Sequence, residues 1–116
     1  AIVAVGVEEL ANVTRSLLRG GVKKLLVEKP GGIDRDEILS VCEETKQCGA
    51  DVYIAYNRRF YASVRKAQEI IREDAGVTSF SFEFTEWSHQ IAGLEKAPGI
   101  KENWLLANGL YHIINS

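Results

Sequence analysis

The sequence predicts an α/β fold built on a parallel sheet, and three observations lead there. Three short apolar runs, AIVAVGV (1–7), VKKLLV (22–27) and DVYIAY (51–56), have the length and composition of strands buried on both faces, as in a parallel sheet. Segments of helical spacing separate and follow them. Alternating strands and helices with short connections imply parallel pairing through crossover helices.

Taken in order, the first strand covers Ala1 to Val7. From Glu8 to Arg19 the apolar residues Leu10, Val13, Leu17 and Leu18 share one helical face, and Gly20-Gly21 ends it. The second strand, Val22 to Val27, runs into the breaker Glu28-Lys29-Pro30-Gly31-Gly32. Asp34 then caps a helix, with Glu37 three residues on as its capping-box partner. Its apolar face holds Ile38, Leu39, Val41 and Cys42, and it fades near Gly49. The third strand, Asp51 to Tyr56, leads into Asn57-Arg58-Arg59-Phe60. A helix follows over about Tyr61 to Arg72, with Val64, Ala67, Ile70 and Ile71 inward.

The pattern then changes. Val77 to Trp87 alternates strictly, with Phe80, Phe82 and Phe84 on one face and Ser79, Ser81 and Glu83 on the other. This reads as a half-exposed strand of the antiparallel kind, opening a second unit. Residues 1–76 and 77–116 are therefore assigned to two domains. Ser88 to Lys101 reads as a loop, and Glu102 to Ser116 has the apolar content of a helix. Three parallel strands and one aromatic edge strand make a poor autonomous domain, so the sequence is expected to be part of a larger protein or to complete itself by dimerising.

Composition narrows the function classes. With a net charge of −2 and basic residues scattered among acids, nothing draws nucleic acid or an anionic membrane. No apolar run approaches the ~20 residues of a membrane span. Cys42 and Cys48 lie six apart on one helix, fit no metal or redox pattern, and read as buried or half-buried thiols in a reducing cytoplasm. No G-x-G-x-x-G, Walker loop or G-x-S-x-G occurs, and no ligand set for a metal is present.

The residues with chemical potential sit after the strands. In open α/β sheets, ligands bind at the carboxyl ends of the strands. Lys29 there can donate a hydrogen bond to a hydroxyl or assist proton transfer. A solvated lysine in a tight turn is the plainer reading of the tripeptide by itself. Asn57, Arg58 and Arg59 stand at the same end of the next strand, where guanidinium forks can hold an anion or a hydroxyl-rich ligand. His89 reads as a loop residue, and His112, between Tyr111 and Ile113, as a core histidine.

The series AIVAVGVEEL, VKKLLVEKP, DVYIAYNRRF and the long alternating strand, in this order and spacing, resembles the glucose–fructose oxidoreductase / inositol dehydrogenase family of nicotinamide-dependent enzymes. The resemblance covers Ala1 to about Trp87. It implies that residues 1–76 are the C-terminal part of a Rossmann-type dinucleotide-binding domain whose glycine loop lies upstream. Residues 77–116 would open a mostly antiparallel α+β domain for substrate and oligomer contacts. It implies NAD or NADP as cofactor, a sugar, cyclitol or nucleotide-sugar as substrate, and a homo-oligomer, while the cysteine reading implies a cytoplasmic location.

The same resemblance places Glu28, Lys29 and Pro30 in the cofactor site, with a cis Lys29-Pro30 bond and Lys29 catalytic. It places Asn57 with Arg58 or Arg59 at the substrate, and Trp104 against the cofactor. Where the family has Arg after this Trp, the chain has Leu105. His112 matches the acid/base of an Asp-x-x-x-His-x-x-Asp pattern with Asn108 and Asn115 in place of both acids. In a rival alignment Asn115-Ser116 opens an Asn-Ser-x-His motif, and the histidine follows Ser116. The implied activity is hydride transfer to or from a secondary alcohol, with this segment alone inactive. The alternative is a non-enzymatic interaction module that dimerises through its aromatic strand.

Overall fold

The structure is a computed structural model that describes residues 1–79, 81, 83, 87–97 and 99–106. Its centre is a three-stranded parallel sheet of order β1-β2-β3, formed by Ile2–Val3, Lys24–Val27 and Asp51–Ile54. Helix α1 (Leu10–Arg19) joins β1 to β2, and α2 (Arg35–Cys48) joins β2 to β3. Helix α3 (Ala62–Glu73) follows, then the short α4 (Ser88–Ala92) and a last helix, α5, at 100–106. The predicted α/β alternation and parallel pairing are therefore present. Among the described residues, no helix is long and apolar enough to cross a membrane.

Register decides which side chains meet. Val3 pairs with Val27 and Val27 with Ile54, while Leu25 pairs with Val52. These five residues share one face, because side chains alternate along a strand. On that face Val3, Leu25 and Val27 are buried with Val7, Leu10 and Leu18, and Val52 and Ile54 pack against the cluster. Helices α1 and α2 join side by side over it. Arg15 donates to Ser40 Oγ at 3.0 Å, and Arg19 forms an ion pair with Glu44.

The other face corrects the expectation of strands buried on both sides. Ile2, Leu26 and Tyr53 are in register there and stand 78%, 42% and 61% exposed. Apolar runs report that a strand is greasy, not what lies over it, so the second layer was inferred where the described residues supply none. Helix α3 corrects a second expectation. None of its residues is buried, and its intended inner residues Ile70 and Ile71 are exposed.

Boundaries also shift. The first run pairs only at Ile2–Val3, because the last rung on that edge is Glu28 N–H to Val3 O at 2.8 Å. A 3-10 turn, Val7–Glu9, then leads into α1. The second and third strands are likewise shorter than their apolar runs. Cys42 is exposed, not buried, and Cys48 is half-buried. The expected loop 88–101 contains α4 and the start of α5. Of the expected strand Val77–Trp87, the described residues 77–79, 81, 83 and 87 have no strand pairing, and Phe80, Phe82, Phe84, Thr85 and Glu86 lie outside the described residues.

Caps match their chemistry. Asp34 accepts from Glu37 N at 2.9 Å, satisfying one orphan donor of the helix, and Glu37 Oε2 accepts from Ile33 N at 2.8 Å, one residue before the cap. Gly49 closes α2 in the left-handed region at φ 55°, where glycine carries no Cβ penalty.

Candidate functional site

The carboxyl ends of β1 and β2 and helix α5 enclose a cavity of about 250 Å3. Its wall is Val5, Gly6, Val7 and Glu8 after β1, Glu28 and Lys29 after β2, and Lys96 and Trp104 from the later chain. Each part is held for a local reason. The ladder fixes Glu28 through its bond to Val3 O, so Lys29 projects just past the sheet edge. The Lys29-Pro30 peptide is cis, as the resemblance implies, and Pro30 is buried behind the turn. Gly31 follows at φ 95°, and a Cβ there would come within 2.6 Å of Ile54 Cδ1. The positive φ favours glycine at this turn, and any Cβ would also have to displace the end of the Ile54 side chain.

Trp104 reaches the cavity because α5 docks on the sheet. Ile100 and Trp104 pack against the core cluster. The helix start is secured by Gly99 N–H to Glu102 Oε2 at 2.9 Å, and Lys101 Nζ bonds Ala92 O at 2.7 Å. Lys96 ties the same segment to Glu8 through an ion pair. That hydrogen bond, reinforced by the lysine charge, holds the Glu8 carboxyl below the usual glutamate value of 4.5.

The structure thus brings together Glu28, Lys29 and Trp104, three of the four residues expected at the cofactor. Asn57 and Arg59 go elsewhere. They line a larger, more open cavity of about 640 Å3 on the uncovered sheet face, with Leu26, Tyr53, Tyr56 and Phe60. Arg58 lies in the 3-10 turn Arg58–Phe60 and borders neither cavity. His112 lies outside the described residues. His89 is on α4, its ring stacked on Trp87 with centroids 6.2 Å apart. Among the described residues no group of His, Cys, Asp or Glu is arranged to hold a metal.

Sequence reasoning missed Glu8 and Lys96. Glu8 had a usable signal, since it follows the end of a parallel strand as Lys29 does. Lys96 had none, because nothing local says that the segment after Trp87 folds back onto β1. The cavity carries two carboxylates and two ammonium groups, so its charge is balanced. Such a lining suits a neutral, hydroxyl-bearing or flat ligand better than an ion. No family model, curated protein or solved structure matches the chain.

Proposed function

We propose that the chain is part of a cytoplasmic NAD(P)-dependent oxidoreductase. The parent enzyme transfers hydride to or from a secondary alcohol of a sugar, cyclitol or nucleotide-sugar, and the 116 residues alone are inactive. The observation that supports this reading is the meeting of Lys29 and Trp104 in one cavity at the carboxyl end of a parallel strand. Distant sequence positions supply one cationic donor and one flat apolar wall, the pair of surfaces a nicotinamide and its alcohol partner require.

The residues present fit one half of the cofactor. At about 250 Å3 the cavity falls below the ~300–1,000 Å3 of whole small-molecule sites. It has room for the nicotinamide end, and the sequence has no glycine-rich loop for the pyrophosphate. When bound, the nicotinamide supplies the hydride acceptor or donor. In this arrangement Trp104 supports the flat ring, and Lys29 donates a hydrogen bond to the reacting hydroxyl and favours its ionisation. Glu28 orders the turn, and the Glu8–Lys96 pair closes the side of the cavity. Asn57 and Arg59, which line the separate open cavity, are left for remote hydroxyls of a larger substrate, and a histidine takes the hydroxyl proton; His112 is one candidate for it and lies outside the described residues.

A second reading draws on the uncovered sheet face. Ile2, Leu26 and Tyr53 offer an association surface, as an interaction module would. Phe80, Phe82 and Phe84, the aromatic face of the alternating segment given that role, lie outside the described residues. Two measurements test the oxidoreductase reading. The chain incubated with NAD or NADP and a panel of polyols is expected to form no reduced cofactor, and full turnover contradicts the claimed inactivity. Reduced nicotinamide riboside, followed by its own fluorescence, is expected to bind in the millimolar range and to bind Lys29→Met at least several-fold more weakly. Equal binding to both proteins removes Lys29 from the site.

A further inference from the structure

A polar cavity on another part of the surface differs in charge from the one beside Lys29. It measures about 280 Å3 and is lined by Arg59 and Phe60 from the turn after β3 and by Arg65, Gln68, Glu69 and Arg72 of α3. The α3 positions are spaced three, one and three apart, which puts them on one helix face. Three guanidinium groups therefore face one carboxylate. That carboxylate, Glu69, is itself engaged by Lys66 Nζ at 3.1 Å, which brings a further cation to the rim. Among the described residues, neither the Arg65 nor the Arg72 side chain has an ion pair or hydrogen bond.

This local surplus runs against the whole chain, whose net charge is −2. Arg65 and Arg72, two like charges with no ion pair among the described residues, cost energy when held on one face unless an anion joins them. Planar guanidinium forks match phosphate oxygens in pairs, and Arg65 and Arg72 line this cleft from one helix face around a carboxylate that Lys66 already engages. Phe60 is 69% exposed at the end of the cleft and presents a flat apolar surface beside Arg59. Such a ring can stack on a planar base. Three arginines in a cleft of this size give a long polyanion or a membrane little to follow.

We propose that this cleft binds a phosphate-bearing small molecule, with the phosphate between Arg65 and Arg72 and a planar part of the ligand against Phe60. The cleft shares no residue with the cavity beside Lys29, and the phosphate contacts, Arg65 and Arg72, have no part in the oxidoreductase reading; Arg59 alone is common to both.

Calorimetry and amide-shift mapping of the full 116-residue chain at low salt test the proposal, with adenosine monophosphate, inorganic phosphate and adenosine as probes. Adenosine monophosphate is expected to bind with shifts centred on residues 59–72. Inorganic phosphate is expected to bind about tenfold more weakly, and adenosine more weakly still. The double variant R65A/R72A is expected to lose at least about tenfold in affinity, while Lys66→Ala changes it by less than about threefold. Circular dichroism of the variants checks that the exposed substitutions leave the fold intact. Unchanged affinity in the double variant, equal binding of adenosine and its monophosphate, or shifts centred elsewhere overturns the proposal. Equal binding of inorganic phosphate and adenosine monophosphate overturns the role of Phe60.

Discussion

Lys96 donates to the carboxylate of Glu8, a residue 88 positions earlier in the chain. The pair fastens the segment before α5 to the turn before α1, and both side chains remain partly exposed. The lysine's hydrogen bond, with its charge adding to it, keeps Glu8 ionised below the ordinary 4.5. A carboxyl whose folded pKa is lowered contributes stability above its unfolded pKa and loses it as pH falls through the folded value. The link is therefore fully present at neutral pH and fails only below the usual glutamate range. Lys96→Met is expected to return the Glu8 titration toward 4.5, read by carbon NMR of the carboxyl. A Glu8 titration indifferent to that substitution contradicts the ion pair.

Leu25 and Leu26 are neighbours on β2 with opposite environments, 2% and 42% exposed. Truncating a fully buried leucine removes its transfer energy and leaves a cavity, at a cost of about 2–5 kcal/mol. Leu25→Ala is expected to fall in that range in urea unfolding, and Leu26→Ala to cost under ~1 kcal/mol. Equal costs show that the outer face is covered in solution.

Thr14 is completely buried in α1, and its Oγ1 has no hydrogen-bond partner among the described residues. Replacing an unsatisfied buried hydroxyl with a methyl of similar shape removes a desolvation penalty. Thr14→Val is expected to stabilise the chain by about 1 kcal/mol, seen as a raised urea midpoint with unchanged slope. A loss of stability shows that the hydroxyl is satisfied after all.

Gly31 holds the turn that presents Lys29. Alanine there meets Ile54 Cδ1 at 2.6 Å and sits at φ 95°, in the region side chains avoid. Gly31→Ala is expected to cost about 1–3 kcal/mol and to displace the Lys29 amide resonance. Stability and spectrum identical to the parent contradict the close approach.

Much of the fold was legible because it rests on periodicity. The three apolar runs, the Leu10–Leu18 face and the Asp34 cap each carry a local signal; the face and the cap appear where that signal places them, and each run contains a strand shorter than itself. The uncovered face behind Leu26 and Tyr53 was not legible, since a strand's composition does not name its neighbours. Ile70 and Ile71 misled for the same reason: helical spacing defines a face without supplying anything to cover it. At the site, Glu28 and Lys29 stood out because a strand end is a readable place. Trp104 entered through family resemblance alone, and its arrival beside Lys29 depends on packing against the core cluster that only the folded chain displays. Lys96 depended on that same long-range fold and left no local mark.

On the proposed function, the cavity between Lys29 and Trp104 receives the nicotinamide end of a cofactor. Reduced nicotinamide riboside carries no phosphate and so has no reason to visit the arginine cleft on α3. Amide-shift mapping of the chain during titration with this compound is the most direct measurement. Shifts are expected only at Gly6, Glu8, Glu28, Lys29 and Lys96, together with the Trp104 indole. Shifts confined to the open sheet face around Tyr53, or no shifts at millimolar ligand, would contradict that reading.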